Sequence, residues 1–367
     1  MRKKFERSAK VSLARLIARF LRGARVSAAE FSRLPVARLL VIRQHNQMGD
    51  MLLAVPAFRG LRKRFPGARI TLVGSSINSE VMANNPYVDE VLTYAKRRTR
   101  CNPLDLVRFI VALRRRRFDA VIVLNTVSFS VTSMLVALAS GARIRVGSTS
   151  APFGHDLSSR FYHLELPLPS DGELERMHES EHNLYPLAAI GVREDDLASL
   201  LVPTAEDEAE SERFVAAAFA EGARFVVVHP GAGKRQNAWP PERFAELVSL
   251  LRERCGLDAV AVRGPMDRQT MDAFVKAATS HPVVLSCPTV GFLGALMARA
   301  ALTICNDTGV MHVAGAVGAR CVAIFGPTDP ARWKPVNDAV LAVRAADRAV
   351  ASVTVEEVFA AAIKLVR

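Results

Sequence analysis

Three short runs in the chain hold residue types that do chemistry at useful spacing. The first, Asn46-Gln47-Met48-Gly49-Asp50, follows an apolar strand and precedes a helix. Gly49 permits a tight turn there, and Asp50 falls at the helix start. Asp50 reads two ways. Aspartate caps helix N-termini well, or its carboxylate serves as a general base. A cap role lowers the carboxyl pKa, so a base at this place needs an apolar pocket or a bound substrate to tune it. The second run, His229-Pro-Gly-Ala-Gly-Lys-Arg-Gln-Asn-Ala-Trp-Pro240, leaves a strand as a glycine-rich loop. Such a loop offers backbone N–H groups to an anion, and Lys234 and Arg235 add charge. It is neither a P-loop nor a GxGxxG fingerprint, because no GK[ST] and no third glycine follow. The third run, Asn306-Asp-Thr-Gly-Val-Met-His312, opens a helix directly after a strand. Thr308 and Gly309 bring a hydroxyl and N–H groups to a helix N-terminus, which suits a diphosphate. Asp307 is placed to grip sugar or ribose hydroxyls. His312, one turn further on, is either a ligand-facing group or a packed neutral histidine.

The elements that must position these runs alternate strand and helix. Arg38–Arg43 reads as a strand, with a helix from Met51 to Phe65 after a turn at Gly49-Asp50. Strands follow at 68–73, 88–93, 120–124 and 143–147. The pattern restarts with a strand at 224–229, a helix at 242–254, and strands at 259–263, 302–305 and 321–325, the last two around a helix at 310–317. βαβ alternation of this kind predicts parallel sheets with helices on both faces. The two halves share one plan, so the reading is α/β: two doubly wound domains facing one another across a cleft, with ligands at the carboxyl ends of the strands. The expected divisions are a basic extension at 1–37, an N-terminal domain at 38–185, a polar, acidic linker at 186–210, a second domain at 211–345 and a C-terminal helix at 346–367.

The 367 residues carry 49 Lys and Arg against 36 Asp and Glu, a net charge of +13. The excess is local. Residues 1–25 and 96–117 each sum to +8, which leaves the remainder slightly acidic. Residues 8–24 form an amphipathic helix, with Leu13, Leu16, Ile17 and Phe20 opposite Arg15, Arg19 and Arg22. That helix fits an anionic membrane surface or a solvated face equally well. Residues 120–142 carry no charge and are long enough to span a bilayer. A β-branched strand, a polar loop and a short helix closed by Gly141 account for them better. Five scattered cysteines, with no CxxC and no histidine at ligand spacing, predict free thiols and no structural zinc. Bases without interleaved aromatics argue against nucleic-acid binding. The missing GxGxxG argues against a nicotinamide enzyme.

Taken together the three runs resemble glycosyltransferase family 9, the heptosyltransferases of lipopolysaccharide core assembly. The similarity runs from about Leu39 to Pro335. It includes Gly-Asp before Pro56, Pro86-Tyr-Val-Asp89, the HPGAG…WP run and NDTGVMHVAGAVGARCVAIFGPTDP, which is long and specific. The resemblance implies a GT-B fold of two Rossmann-like domains, with the donor in the C-terminal one and the acceptor in the N-terminal one. It implies Asp50 as catalytic base, and donor contacts from Asp307, Thr308, Gly309 and His312, with the Gly231-Ala232-Gly233 loop beside the nucleotide diphosphate. Two positions depart from the family pattern. Asn237 stands where a lysine is usual, so Lys234 or Arg235 is left to supply that charge. Asp267 stands where glutamate is usual, a shorter arm toward the nucleotide or sugar.

The implied chemistry is an inverting, metal-independent displacement at the anomeric carbon of a nucleotide sugar, ADP-heptose, with no other cofactor. The implied acceptor is a lipid-linked core sugar at the cytoplasmic face of the inner membrane. On the acceptor or membrane side stand Gly49, Arg97, Arg98, Arg15 and Arg19. Two alternatives stay open: a transferase of the same fold that builds a capsule or O-chain from another nucleotide sugar, and a non-catalytic sugar-nucleotide-binding protein.

Overall fold

The computed structural model describes Leu16 and residues 24–44, 47–93, 103–154 and 156–366. Arg15, Arg19, Arg97 and Arg98 lie outside the described residues. The chain divides into two compact units: Met1–Asn46 with Ala54–Asp196, and Gln47–Leu53 with Leu197–Arg367.

The first unit is a six-stranded parallel sheet of β1 (Arg38–Ile42), β2 (Arg69–Gly74), β3 (Glu90–Thr93), β4 (Ala120–Val123), β5 (Ile144–Ser148) and β6 (Leu164–Leu166). Its order is β3-β2-β1-β4-β5-β6. Leu39 to Ile42 are wholly buried. That is the mark of a central parallel strand covered on both faces, and it explains a continuous apolar run where alternation would signal a half-exposed sheet. The 120–142 stretch resolves into β4 and the helix Val131–Ala139, capped by the Ser130 hydroxyl and followed by Gly141 at φ +70°. Both of these elements are buried or half-buried in this unit, the loop between them exposing Val127 and Ser128, and among the described residues no helix is long and apolar enough to cross a membrane.

The second unit repeats the design with β7 (Arg224–His229), β8 (Leu257–Val262), β9 (Val283–Leu285), β10 (Leu302–Asn306), β11 (Cys321–Phe325) and β12 (Val340–Arg344). Its order, β12-β11-β10-β7-β8-β9, is the same topology, and every pairing is parallel. In both sheets the order reverses beside the first strand: between β1 and β4 in one, and between β7 and β10 in the other. Open α/β sheets bind ligands outside the carboxyl ends of the strands at such a point. Cys305 and Cys321 lie on neighbouring strands with their sulfurs 3.8 Å apart, buried and unbridged.

Three expectations need correction. The helix expected from Met51 to Phe65 is two helices, Met48–Leu52 and Val55–Arg64. Pro56 has no N–H for the Leu52 carbonyl and its ring crowds that carbonyl, so one helix cannot run through. The Ser199 hydroxyl donates to the Leu52 carbonyl instead, at 2.8 Å. Gly49 and Asp50 are therefore not a turn. They sit inside the first helical turn, and Gln47, in an extended conformation, holds the N-cap position that the cap reading gave to Asp50. Finally, β6, β9 and β12 went unread. All three are sheet edges, where partial exposure breaks the apolar run that betrays the central strands.

Candidate active site

The site forms where β7 and β10 end. β10 closes on Asn306, which is fully buried and ties three parts of the glycine-rich loop to itself. Its Nδ2 donates to the carbonyls of Pro230 and Gly231 at 2.9 and 3.0 Å, and its Oδ1 accepts from the Trp239 N–H at 3.0 Å. Trp239 is the loop's second anchor. Its ring is wholly buried, packs edge-on against Phe244 with centroids 4.9 Å apart, and donates through Nε1 to the Val353 carbonyl. A loop pinned at 230–231 and at 239 must project the residues between, and Gly233, Lys234 and Asn237 line a cavity of about 400 Å³.

The opposite wall begins where β10 gives way to the helix Gly309–Ala316, whose N-cap is Thr308. The Thr308 hydroxyl makes no cap bond. Buried, it has no hydrogen-bond partner among the described residues, and Thr308 and Gly309 both line the cavity. A helix N-terminus presents free N–H groups and partial positive charge, so this wall suits an anion. Asp307, just before it, is held by two neutral donors: Asn237 Nδ2 at 3.0 Å and the Thr328 hydroxyl. Burial pushes the Asp307 carboxyl above its ordinary value, against the pull of the Thr328 hydrogen bond and the Lys234 charge.

The third wall is the short helix Met48–Leu52. It packs against Gly309–Ala316 through a reciprocal pair of glycines. A side chain on Gly49 would place its Cβ 2.4 Å from His312 Cδ2, and one on Gly309 would come within 2.7 Å of Met48 Cε. Close approach is what each glycine permits. It brings Asp50 to the cavity that Asp307, Thr308, Lys234 and His312 also line, together with Gln47, Met48, Thr328 and Trp333. His312 is both things the sequence offered, a buried histidine packed on Gly49 and a cavity-lining one.

Not every candidate reaches the cavity. Gly231, Ala232 and Arg235 do not line it, and Arg235 is exposed at the start of a single 3₁₀ turn, Arg235–Asn237. Of the two bases offered for the missing charge, Lys234 is the one at the cavity. Asp267 also stands off. Its Oδ2 accepts from His229 Nε2 at 3.0 Å and from the Gly264 N–H at 2.9 Å, and its carboxyl fills the space that a Gly231 side chain would need. The His229 hydrogen bond holds the Asp267 carboxyl below its usual value, against the opposing effect of burial. Asn306 and Thr328 went unassigned in the sequence, though both lie in the quoted NDTG…GPTDP run. The available signal was the polar type of Asn306 at the end of an apolar strand and of Thr328 in the Gly326-Pro327-Thr328 loop that follows the next one. Among the described residues no group of three or more His, Cys, Asp or Glu could hold a metal ion.

Two doubly wound units of one topology, one bearing a polar cavity at its switch point, are the architecture of the GT-B fold. The Glycosyltransferase family 9 (heptosyltransferase) model matches residues 106–361, and the chain belongs to that family and is a glycosyltransferase. Lipopolysaccharide heptosyltransferase 3 of Escherichia coli is 26% identical to it over 312 residues, covering 82% of this chain and 86% of the relative. Lipopolysaccharide heptosyltransferase 1 of Escherichia coli K12 is 22% identical over 299 residues, 80% of this chain and 89% of the relative. The fold matches the crystal structure of the glycosyl transferase family 9 protein from Veillonella parvula DSM 2008 with a TM-score of 0.78 at 23% identity, covering 90% of this chain and 97% of that one. It matches E. coli heptosyltransferase WaaC with ADP at 0.71 and 20% identity, covering 89% and 99%.

Proposed function

We propose that the protein transfers a heptose from ADP-heptose to a lipid-linked sugar of the lipopolysaccharide core, with inversion at the anomeric carbon and without a metal ion. The observation that carries this reading is the meeting, in one cavity, of Asp50 with Lys234, Asp307, Thr308 and His312. Asp50 takes the proton of the acceptor hydroxyl as its oxygen attacks the anomeric carbon from the face opposite the leaving group. The bond from that carbon to the ADP oxygen breaks, and ADP departs with the bonding pair. General base assistance of this kind is worth about 10² to 10⁴ in rate. The charge growing on the diphosphate is met by the Lys234 ammonium, the Thr308 hydroxyl and the N–H groups that open Gly309–Ala316. Asp307, fixed by Asn237 and Thr328, accepts hydroxyls of the donor sugar.

The compared proteins support the donor, since they include heptosyltransferases with ADP and with ADP-2-deoxy-2-fluoro heptose. A lipid-linked acceptor places the enzyme peripherally at the cytoplasmic face of the inner membrane. A second reading, the same displacement with another nucleotide sugar for a capsule or O-chain, rests on Asn237, which offers Asp307 a neutral amide where the family resemblance implies a lysine. The test is a panel of ADP-, GDP- and UDP-sugars with deacylated core acceptors, followed by NMR of the product. Acceptor-dependent release of ADP from ADP-heptose, with a product anomer opposite to the donor's, is expected. Turnover of a GDP- or UDP-sugar alone would replace the donor, and retained configuration would overturn the single displacement.

A further inference from the structure

The helix Pro103–Arg115 carries apolar side chains that the fold does not bury. Leu104, Val107 and Val111 are 63%, 55% and 40% exposed. At 100° per residue they share one face with Arg108 and Arg115, while Leu113 on the opposite side is wholly buried in the core of the first unit. Leu106, beside Leu113, is 45% exposed, and Arg114 turns back to donate to the Ala139 carbonyl at 3.1 Å. Exposed large apolar residues usually stand singly; here three line a single face at i, i+3 and i+7. The acid on this helix, Asp105, lies 3.6 Å from Arg108 and is balanced by it. At the helix end, Arg38, Arg69, Arg115 and Arg116 line a polar cavity of about 410 Å³ together with Glu90, four cations to one anion.

We propose that this outward face is a docking surface for an anionic lipid bilayer, with Leu104, Val107 and Val111 in the headgroup–acyl boundary and Arg108 and Arg115 on lipid phosphates. The interleaving of charge decides for lipid over a protein partner. The buried centre of a protein interface is depleted of charge, whereas a basic, leucine- and valine-bearing helix lies in a membrane interface with its long cationic side chains reaching up to phosphate. The reading of the acceptor as a lipid-linked sugar gives this surface its purpose, yet docking is measured without any turnover.

The experiment uses the full chain with vesicles of phosphatidylcholine, with or without phosphatidylglycerol. Leu104→Gln/Val107→Gln/Val111→Gln replaces exposed side chains only and should weaken sedimentation with anionic vesicles at least tenfold. Arg108→Gln and Arg115→Gln should each weaken it about fivefold, the equivalent of roughly 1 kcal/mol per base near an anionic surface. In Val107→Trp the added tryptophan should be quenched by brominated lipid, with wild type as the baseline for Trp239 and Trp333. Three results would overturn the proposal: wild-type affinity in the triple variant, an unquenched tryptophan at 107 on vesicles, or a dimer of the wild type that the triple variant splits. Deacylated acceptor should turn over equally in wild type and triple variant; no turnover in wild type would count against the transfer reading and leave the surface standing.

Discussion

Gly49→Ala sets two local effects of opposite sign against each other. Exchanging glycine for alanine in a helix favours folding by at most about 1 kcal/mol. The added methyl, however, would lie 2.4 Å from the His312 ring, about 1 Å inside ordinary van der Waals contact, and His312 is only 6% exposed. Packed on Gly49, the ring opposes the added methyl and pushes the two helices apart, and overpacking of this kind costs about 1–3 kcal/mol. The clash outweighs the propensity gain by about 1 kcal/mol, a loss of about 2–4 °C in the unfolding midpoint of a unit this size. The functional effect is larger. Asp50 is the next residue, and a displacement of about 1 Å at a reacting group can lower the rate about 100-fold. Thermal unfolding and steady-state kinetics on ADP-heptose should show both losses, with kcat falling far more than donor affinity. The double variant Gly49→Ala/His312→Ala should recover most of the stability, because the methyl then has space. A raised midpoint with wild-type kcat would refute the packing argument.

Other substitutions separate the remaining roles. Lys234→Ala should raise the donor KM tenfold or more while Arg235→Ala leaves it near wild type, as measured by initial rates, because only Lys234 lines the cavity. Thr328→Val removes one of the two neutral donors on Asp307, and a hydrogen bond to a charged group is worth about 1.5–3 kcal/mol. Titration calorimetry should find ADP-heptose bound about 10- to 100-fold more weakly. Because burial already raises the Asp307 carboxyl, affinity should fall as pH drops through its value, and in Thr328→Val that fall should begin at higher pH. Asp267 has the opposite sign. Its depressed carboxyl adds stability that is present above the ordinary aspartate value of 3.8 and lost as pH falls through the folded value, so Asp267→Asn should flatten the acid limb of the unfolding curve below about pH 4.

Most of the architecture was legible because parallel strands buried on both faces leave continuous apolar runs. Leu39 to Ile42 and Phe225 to Val228 are such runs, Leu302 to Cys305 is broken only by the buried Thr303, and each is followed by a polar residue that the fold uses: Arg43, His229 and Asn306. The site was legible in residue types but not in distances. That Asp50 and His312 line one cavity depends on two glycines, Gly49 and Gly309, that let a five-residue helix near position 50 pack on one near position 310. No local pattern encodes that approach. The same limit explains Asp267. A carboxylate three residues after Gly264 reads as a ligand contact, and only the fold shows His229 and the Gly264 N–H already engaging it. The short edge strands escaped notice because their side chains are partly wet. The exposed stripe on Pro103–Arg115 escaped because an apolar position in a helix is read as a buried one until its surroundings are known.

The central claim is that Asp50 removes the acceptor proton in heptosyl transfer, and Asp50→Asn tests it most directly. The substitution preserves shape while removing the base. With ADP-heptose and a deacylated core acceptor, acceptor-dependent ADP release should fall by about 10² to 10⁴, while ADP-heptose binding measured by calorimetry stays at the wild-type value. Turnover of Asp50→Asn at the wild-type rate would contradict the assignment and leave Asp50 as no more than an acidic residue in the first turn of its helix.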